Sequence, residues 1–306
     1  MKPVSVLLTC DIHTHVQSPA QVDVDLSCAR EVLRERKWPC TFMFPSTSAR
    51  LLKHQVRALR EEGHEIGCHG VTHEPTENFS LLPLEAQRAL LRQATDEIAD
   101  ITGERPVSFR APAFRVCGHT MEALDELGYE GDLSVTAGRL SIFGSDIYNW
   151  RPLFAGRRPY HPSIRNPYRS GTAKLWEIPV SAFVVPFLSN MERLAGLSFM
   201  KSLFRALYLE SRVTGKPIVF VFHAEDLNAA GGVEHVGVLS WKHFIPNRTH
   251  GLELRFFLFE RNWARVCRDL VALIRYMEGF QGVHFVTARA YLDALDPAPA
   301  RISPRA

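Results

Sequence analysis

The sequence predicts an α/β protein built on a parallel sheet. Three observations carry that prediction. Strand-like and helix-like segments alternate along most of the chain. Residues 217–223, PIVFVFH, form an unbroken apolar run, the pattern of a strand buried on both faces. At 306 residues and 46% hydrophobic, the chain is long enough and apolar enough to bury a large core as one unit.

In chain order, residues 4–9 read as a first buried strand and residues 25–36 as a helix. A short strand at 40–44 precedes a second helix at 49–62, and residues 64–68 are again strand-like. Apolar residues at helical spacing mark a long amphipathic helix over 84–102. Residues 108–110 read as a strand end and 119–127 as a helix that stops at Gly128. Late in the chain come the 217–223 strand, a helix at 263–277 and a strand at 283–287. Two stretches break the alternation and read as loop insertions. Residues 139–175 carry Pro152, Pro159, Pro162 and Pro167, and residues 226–252 are rich in Gly, His and Asn, with Trp241 and Phe244. The Pro-rich tail, residues 296–306, is expected to be disordered, which leaves residues 1–295 as a single domain.

Charge excludes one class of partner. Lys and Arg (36) nearly balance Asp and Glu (33), a net of +3, so nothing marks a nucleic-acid surface. The cysteines Cys10, Cys28, Cys40, Cys68, Cys117 and Cys267 are scattered without a CxxC pair, as expected of reduced thiols. The N-terminal apolar run is too short for a signal peptide, and no run reaches the length of a membrane span. The expected compartment is the cytoplasm.

In parallel α/β folds the functional residues gather at the carboxyl ends of the strands. That rule selects Asp11-Ile12-His13-Thr14-His15, then His69-Gly70-Val71-Thr72-His73, then Arg110-Ala111-Pro112, and finally His223. Two imidazoles four residues apart share a face on a helical turn and can close on one divalent metal. His69 and His73 fit that role, and the third ligand should come from His13 or His15. Asp11 is then placed to take a proton from water, His223 to protonate a departing amine, and Arg110 to hold Asp11 ionised and oriented. His64 and His69 resemble the paired histidines of an HExxH metalloprotease. They are five residues apart rather than four, however, so His64 reads as structural.

With these residues in hand, the chain resembles the polysaccharide deacetylase family, the chitooligosaccharide-deacetylase-like domain of carbohydrate esterase family four. GHEIGCHGVTHE is similar to the family's histidine motif, and Thr9-Cys10-Asp11 to its T-x-D motif. TFMFP at 41–45 looks like its second strand, FRAPAF at 109–114 its R-x-P motif, WEIPVS at 176–181 its E-[IF]-P step, and VFVFH at 219–223 its final histidine motif. The resemblance runs over about residues 4 to 290. It implies a single distorted (β/α)7 barrel with long loop insertions and metal-dependent removal of an N-acyl group from an amino sugar. Asp11 would be the general base, His69 and His73 metal ligands, Arg110 the brace of Asp11 and His223 the general acid. The metal would be a divalent cation, zinc first, with cobalt, nickel or iron(II) as alternatives.

Two departures from the family pattern stand out. The positions of the usual metal-binding aspartate hold Ile12 and His13, so His13 is expected to replace the carboxylate in a three-histidine site, with His15 as fallback. The late D-x-x-D-W motif that tunes the acid histidine is not apparent. Pro112, Asp132 and Glu177 are the expected substrate-side or supporting residues. Arg157 and Arg158 are candidates for an anionic group of the substrate. Residues 182–208 are apolar enough to serve either as core or as a face docking on a membrane or a glycolipid. The expected substrate is an N-acylated amino sugar or lipid-linked glycan intermediate. The alternatives are a barrel that binds a glycan without turnover, and a deformylase or amide hydrolase on a non-polymeric substrate. Asp11, Arg110 and His223 together favour an enzyme, because a binding module needs no base, brace or acid.

Overall fold

A computed structural model of the chain describes residues 2–13, 17–139, 149–230, 240–241, 246–247, 251–252 and 263–296. Among them, eight parallel strands form one sheet. They are β1 (Val4–Asp11), β2 (Thr41–Phe44), β3 (Glu65–Cys68), β4 (Ser108–Phe109), β5 (Gly131–Asp132), β6 (Trp176–Glu177), β7 (Ile218–His223) and β8 (Val283–Val286). Seven run in the order β7-β1-β2-β3-β4-β5-β6, and β8 pairs only with the first half of β1. The path curls into the expected distorted barrel. Its seam, between β6 and β7, has no strand ladder among the described residues. Instead the segment after β6 bridges the gap. Ser181 N–H donates to Val219 O (3.3 Å), Val219 N–H to Ser181 Oγ (3.0 Å) and Val221 N–H to Phe187 O (3.3 Å).

Alternation along the strands explains the interior. On β1, Val6, Leu8 and Cys10 pack outward against the helices, while Leu7 joins Met43, Leu133, Ile178, Val219 and Val221 inside. Asp11 lies two pleats beyond Leu7 on that inner face, at the rim. On β3 the inward positions are Glu65 and Gly67, and His69 follows in phase. A Cβ on Gly67 would sit 2.5 Å from Met43 Sδ and 2.6 Å from Ser108 Oγ, so the packed interior leaves room only for glycine there. The helix Ala288–Leu295 plugs the amino-terminal end of the barrel. Its first amides donate to Thr41 Oγ1 (2.8 Å) and the buried Glu65 carboxylate (2.7 Å), satisfying helix-end donors that would otherwise be orphaned.

The elements follow the sequence pattern with three physical corrections, two in helices and one in strands. The first helix starts earlier than its periodicity suggests, at Pro19 (Pro19–Arg36), because Ser18 caps it by accepting from Gln21 N–H (3.2 Å). The helix expected over 49–62 is two, Ser46–Leu51 and Lys53–Glu61, broken at Leu52. The strands β5 and β6 are two residues long, below the reach of a period-two signal. The apolar stretch 182–208 is chiefly core. Phe187 stands before the helix Ser189–Thr214, whose Met200, Leu203, Phe204 and Leu207 are buried. Lys201 and Arg205 lie over the Tyr276 ring at 5.1 and 5.5 Å. Among the described residues no helix is long and apolar enough to cross a membrane. Phe244 and most of the 226–252 insertion fall outside the described residues, as does the tail from 297 onward.

Candidate metal and catalytic site

Four strand ends bring the chemistry together. β1 and β7 pair so that Asp11 and His223 are direct register partners. His69 follows β3 and donates its amide to Phe44 O (2.8 Å); Arg110 follows β4 and donates its amide to Cys68 O (2.9 Å). The ladders therefore continue one residue past each strand and fix both side chains on the rim.

Arg110 organises two partners at once. Its guanidinium, 0% exposed, donates from Nη1 to Asp11 Oδ1 (2.6 Å) and to Thr9 Oγ1 (3.0 Å), and from Nε to Leu133 O (3.0 Å). Its carbonyl oxygen lies 2.7 Å from His69 Nδ1. A carbonyl can only accept, so His69 carries its proton on Nδ1 and turns an unprotonated Nε2 toward the site. That Nε2 is buried and has no hydrogen-bond partner. Burial also pushes the His69 imidazole below its ordinary pKa, disfavouring its charged form.

The three expected ligands do meet. The donor atoms of His13, His69 and His73 lie within 4.8 Å of one another. The His13 ring centroid is 4.3 Å from that of His73, which in turn is 4.8 Å from that of His69. Nitrogen donors around a tetrahedral zinc at about 2.0–2.1 Å stand about 3.3 Å apart. The cluster is thus slightly open but of the right kind: three imidazoles, one of them, His69, with an orphaned buried nitrogen. These residues fit a divalent metal. His15, the fallback ligand, lies outside the described residues.

The expected helical turn between His69 and His73 is absent. The segment is a loop in which Gly70 (φ 80°) and His73 (φ 64°) both take left-handed backbone, a conformation that costs a non-glycine residue roughly 1–3 kcal/mol. What holds it is Glu77, a residue the sequence reading passed over. Its buried carboxylate accepts from Val71 N–H (2.6 Å), Thr72 N–H (2.7 Å), Thr72 Oγ1 (3.1 Å) and His73 N–H (2.8 Å).

On the other side of the site the His223 ring centroid is 4.6 Å from that of His13. Asp226, three residues on, accepts from His223 N–H (2.8 Å), and its Oδ2 lies 3.6 Å from His223 Nδ1. Arg193, on the helix Ser189–Thr214, donates to the other Asp226 oxygen. Burial alone would lower the His223 pKa, but the Asp226 carboxylate outweighs it and raises it to about 9. The same pairing, with Arg193, holds Asp226 well below the carboxylate range despite burial. The carboxylate that tunes the histidine thus comes from the same strand end, within H-A-E-D, and not from the separate motif whose absence was noted. An acid three residues past a strand-end histidine was the available signal.

The remaining expectations divide. His64 is structural, as read: it is buried, its Nδ1 accepts from Cys40 N–H (3.2 Å), and Phe42 stands edge-on at 5.4 Å. Pro112 opens the turn Pro112–Phe114, where Ala113 and Phe114 have φ of 54° and 60° and Phe114 lies 5.6 Å from the Arg110 guanidinium. Asp132 and Glu177, expected near the substrate, are instead sealed inside the barrel at 0% exposure as register partners on β5 and β6. Burial raises Asp132 to about 6 and Glu177 well above its usual range, Glu177 further by the neighbouring Asp132 carboxylate. Arg157 does not face a substrate group. It forks onto Glu210 (2.9 and 2.6 Å) and pins the strap to the helix Ser189–Thr214, while Arg158 is solvent-exposed.

The fold is a distorted (β/α) barrel whose rim carries three clustered histidines, an aspartate–arginine pair and a fourth histidine. Residues 5–131 match the family model of polysaccharide deacetylases, so the chain contains a polysaccharide deacetylase-like domain. Among curated proteins, the chain is 29% identical over 97 residues to a peptidoglycan deacetylase of Helicobacter pylori (32% of either chain). It is 28% identical over 106 residues to the peptidoglycan deacetylase-like protein FGM2 of Gibberella zeae (35% of this chain, 30% of the relative). The aligned part is thus about a third of those relatives' length. Among solved structures, PuuE allantoinase superposes with a TM-score of 0.63 at 14% identity over 97% of this chain and 92% of that one. A protein described as a probable polysaccharide deacetylase from Pseudomonas aeruginosa PAO1 gives 0.61 at 15% identity over 95% and 90%. At such identities the structures establish the fold.

Proposed function

We propose that the chain is a metal-dependent hydrolase that removes an N-acyl group, acetyl first, from an amino sugar, the substrate being a biosynthetic or lipid-linked intermediate. The observation that carries this reading is the convergence of His13, His69 and His73 with the Asp11–Arg110 pair and His223 on one rim. A divalent cation held by the three histidines, zinc first, supplies Lewis acidity toward the amide carbonyl and the attacking water.

The chain's own groups do the rest. Asp11, aimed by Arg110, takes the proton of the attacking water. His223 is protonated because Asp226 stabilises its charged form, and it delivers a proton to the departing amine nitrogen. The amide C–N bond breaks, the acyl carbon keeps the water oxygen, and the free amine leaves. The six free thiols support a reducing, cytoplasmic setting.

The test is release of acetate from N-acetylglucosamine oligomers and nucleotide-linked N-acetylhexosamines by zinc-loaded protein, with Asp11→Asn as control. Turnover that disappears in Asp11→Asn supports the reading. Zinc-loaded protein that binds these sugars without releasing acetate favours the non-catalytic barrel. Turnover confined to non-sugar amides favours the amide-hydrolase alternative, which the likeness to an allantoinase fold keeps in view.

A further inference from the structure

Glu77 is a buried carboxylate that no step above uses. It lies four residues past His73 in H-G-V-T-H-E-P-T-E, on a loop between β3 and the helix Leu84–Thr102. One side chain accepts four hydrogen bonds from three consecutive residues, and the last of these is the proposed ligand His73. Oε1 takes Val71 N–H at 2.6 Å; Oε2 takes Thr72 N–H at 2.7 Å, Thr72 Oγ1 at 3.1 Å and His73 N–H at 2.8 Å. The fit to Gly70 is equally close. A Cβ there would stand 2.5 Å from Oε1, so the glycine leaves the space the carboxylate fills.

Three successive amides pointing at one anion is a conformation that peptide chains adopt around bound phosphate or carboxylate. Here the anion is internal. It over-determines a backbone that would otherwise relax out of the left-handed region at His73 (φ 64°), and so decides which way the His73 ring leaves the loop. Any other backbone at His73 would carry its ring away from His13 and His69, now at 4.3 and 4.8 Å.

We infer that Glu77 is a positioning residue for the metal centre: its carboxylate presets the His73 backbone so that the three imidazoles converge before metal arrives. The inference rests on the metal-site reading proposed above. It also accounts for a His-x-x-x-His pair converging without a helix. Glu77→Gln preserves the shape but replaces one oxygen with a donor, which confronts at least one of the loop amides with another N–H. Outer groups that orient metal-binding histidines typically alter affinity by about 10- to 100-fold.

The experiment is zinc titration against a competing chelator for the metal-free parent, Glu77→Gln and Thr72→Val. Melting of each metal-free protein and the visible spectrum of each cobalt-loaded protein are recorded beside it. The expected result is a zinc Kd weakened about 10- to 100-fold in Glu77→Gln, with an altered cobalt band. Thr72→Val, which removes one of the four donors, should show a smaller loss. A parent that binds zinc and a Glu77→Gln that binds it within about twofold, with only the melting temperature lowered, overturns the inference alone. A parent that takes up no zinc or cobalt overturns the metal reading and the inference with it. Should Glu77→Gln fail to fold, Thr72→Val decides, and an unchanged zinc Kd and cobalt spectrum in that variant count against Glu77.

Discussion

The two halves of the barrel are built differently. From β1 to β4 the strands begin in apolar interior and end in functional side chains: Leu7 below Asp11, Gly67 below His69, Ser108 before Arg110. At β5 and β6 the pairing shrinks to two residues per strand, and there and at the seam to β7 side chains do what ladders do elsewhere. Glu177 accepts from Val135 N–H (3.1 Å), Ser134 Oγ accepts from Ala111 N–H (2.8 Å) and donates to Asp132, and Ser181 Oγ accepts from Val219 N–H (3.0 Å). The first half is a scaffold fixed by backbone and apolar burial. The second is held by buried polar groups, and Arg110 spans both through Asp11 on one side and Leu133 O on the other.

The sharpest way to break that comparison is at the spanning residue. Arg110→Met leaves Asp11 buried without its cation, and the expected cost is about 3–5 kcal/mol of stability, measured by urea unfolding. The double variant with Asp11→Asn should recover part of the loss, as removing both charges of a buried pair costs less than removing one. Additive losses would mean the pair is not coupled.

Next in size is the acid arm. Asp226→Asn removes the carboxylate that keeps His223 protonated, and kcat on an N-acetylated substrate should fall roughly 100-fold with KM little changed. A fall in kcat under about threefold would remove Asp226 from the account.

The polar half makes a pH prediction. The folded pKa of Asp132 is about 6, above its unfolded value near 3.8, and that of Glu177 is raised further, both chiefly by burial. Groups shifted upward stabilise fully below their unfolded pKa and lose that contribution as pH rises through the folded one. Stability contributed by the pair therefore declines from about pH 4 upward through 6 and beyond. Glu177→Gln, which cannot ionise, should gain on the parent as pH rises, on the order of 1–3 kcal/mol between pH 5 and 8. Parallel curves for the two proteins would show that the pair carries no such linkage.

The smallest effect is expected at the strap. The Arg157–Glu210 bridge is about a quarter exposed, so Arg157→Ala should cost no more than about 1 kcal/mol. KM should be unchanged, since Arg157 is committed to Glu210. A large rise in KM for an anionic substrate would restore its expected role in binding.

Legibility follows the same division. The strands β1, β2 and β7 announce themselves as apolar runs and β3 as a short strand-like step, and the residues just after them needed only the strand-end rule to be found. Asp11, His69, Arg110 and His223 were therefore visible one by one. The convergence of His13 with His69 and His73 depends on barrel curvature, which no local pattern encodes. Glu77, Asp226 and Arg193 act by reaching back to backbone amides or across to another element, so their roles exist only in three dimensions. Asp132 and Glu177 were seen, but as substrate-side or supporting groups of the rim. A buried carboxyl pair and a rim pair look alike in sequence, because burial is decided by register.

The central claim is that His13, His69 and His73 hold one metal, and metal content tests it most directly. Tag-free protein and His13→Ala, each exposed to zinc and then desalted, would be compared by elemental analysis. The account predicts close to one zinc per chain in the parent and loss of that zinc in His13→Ala. Protein that retains no metal, or a His13→Ala variant that retains as much as the parent, would contradict it.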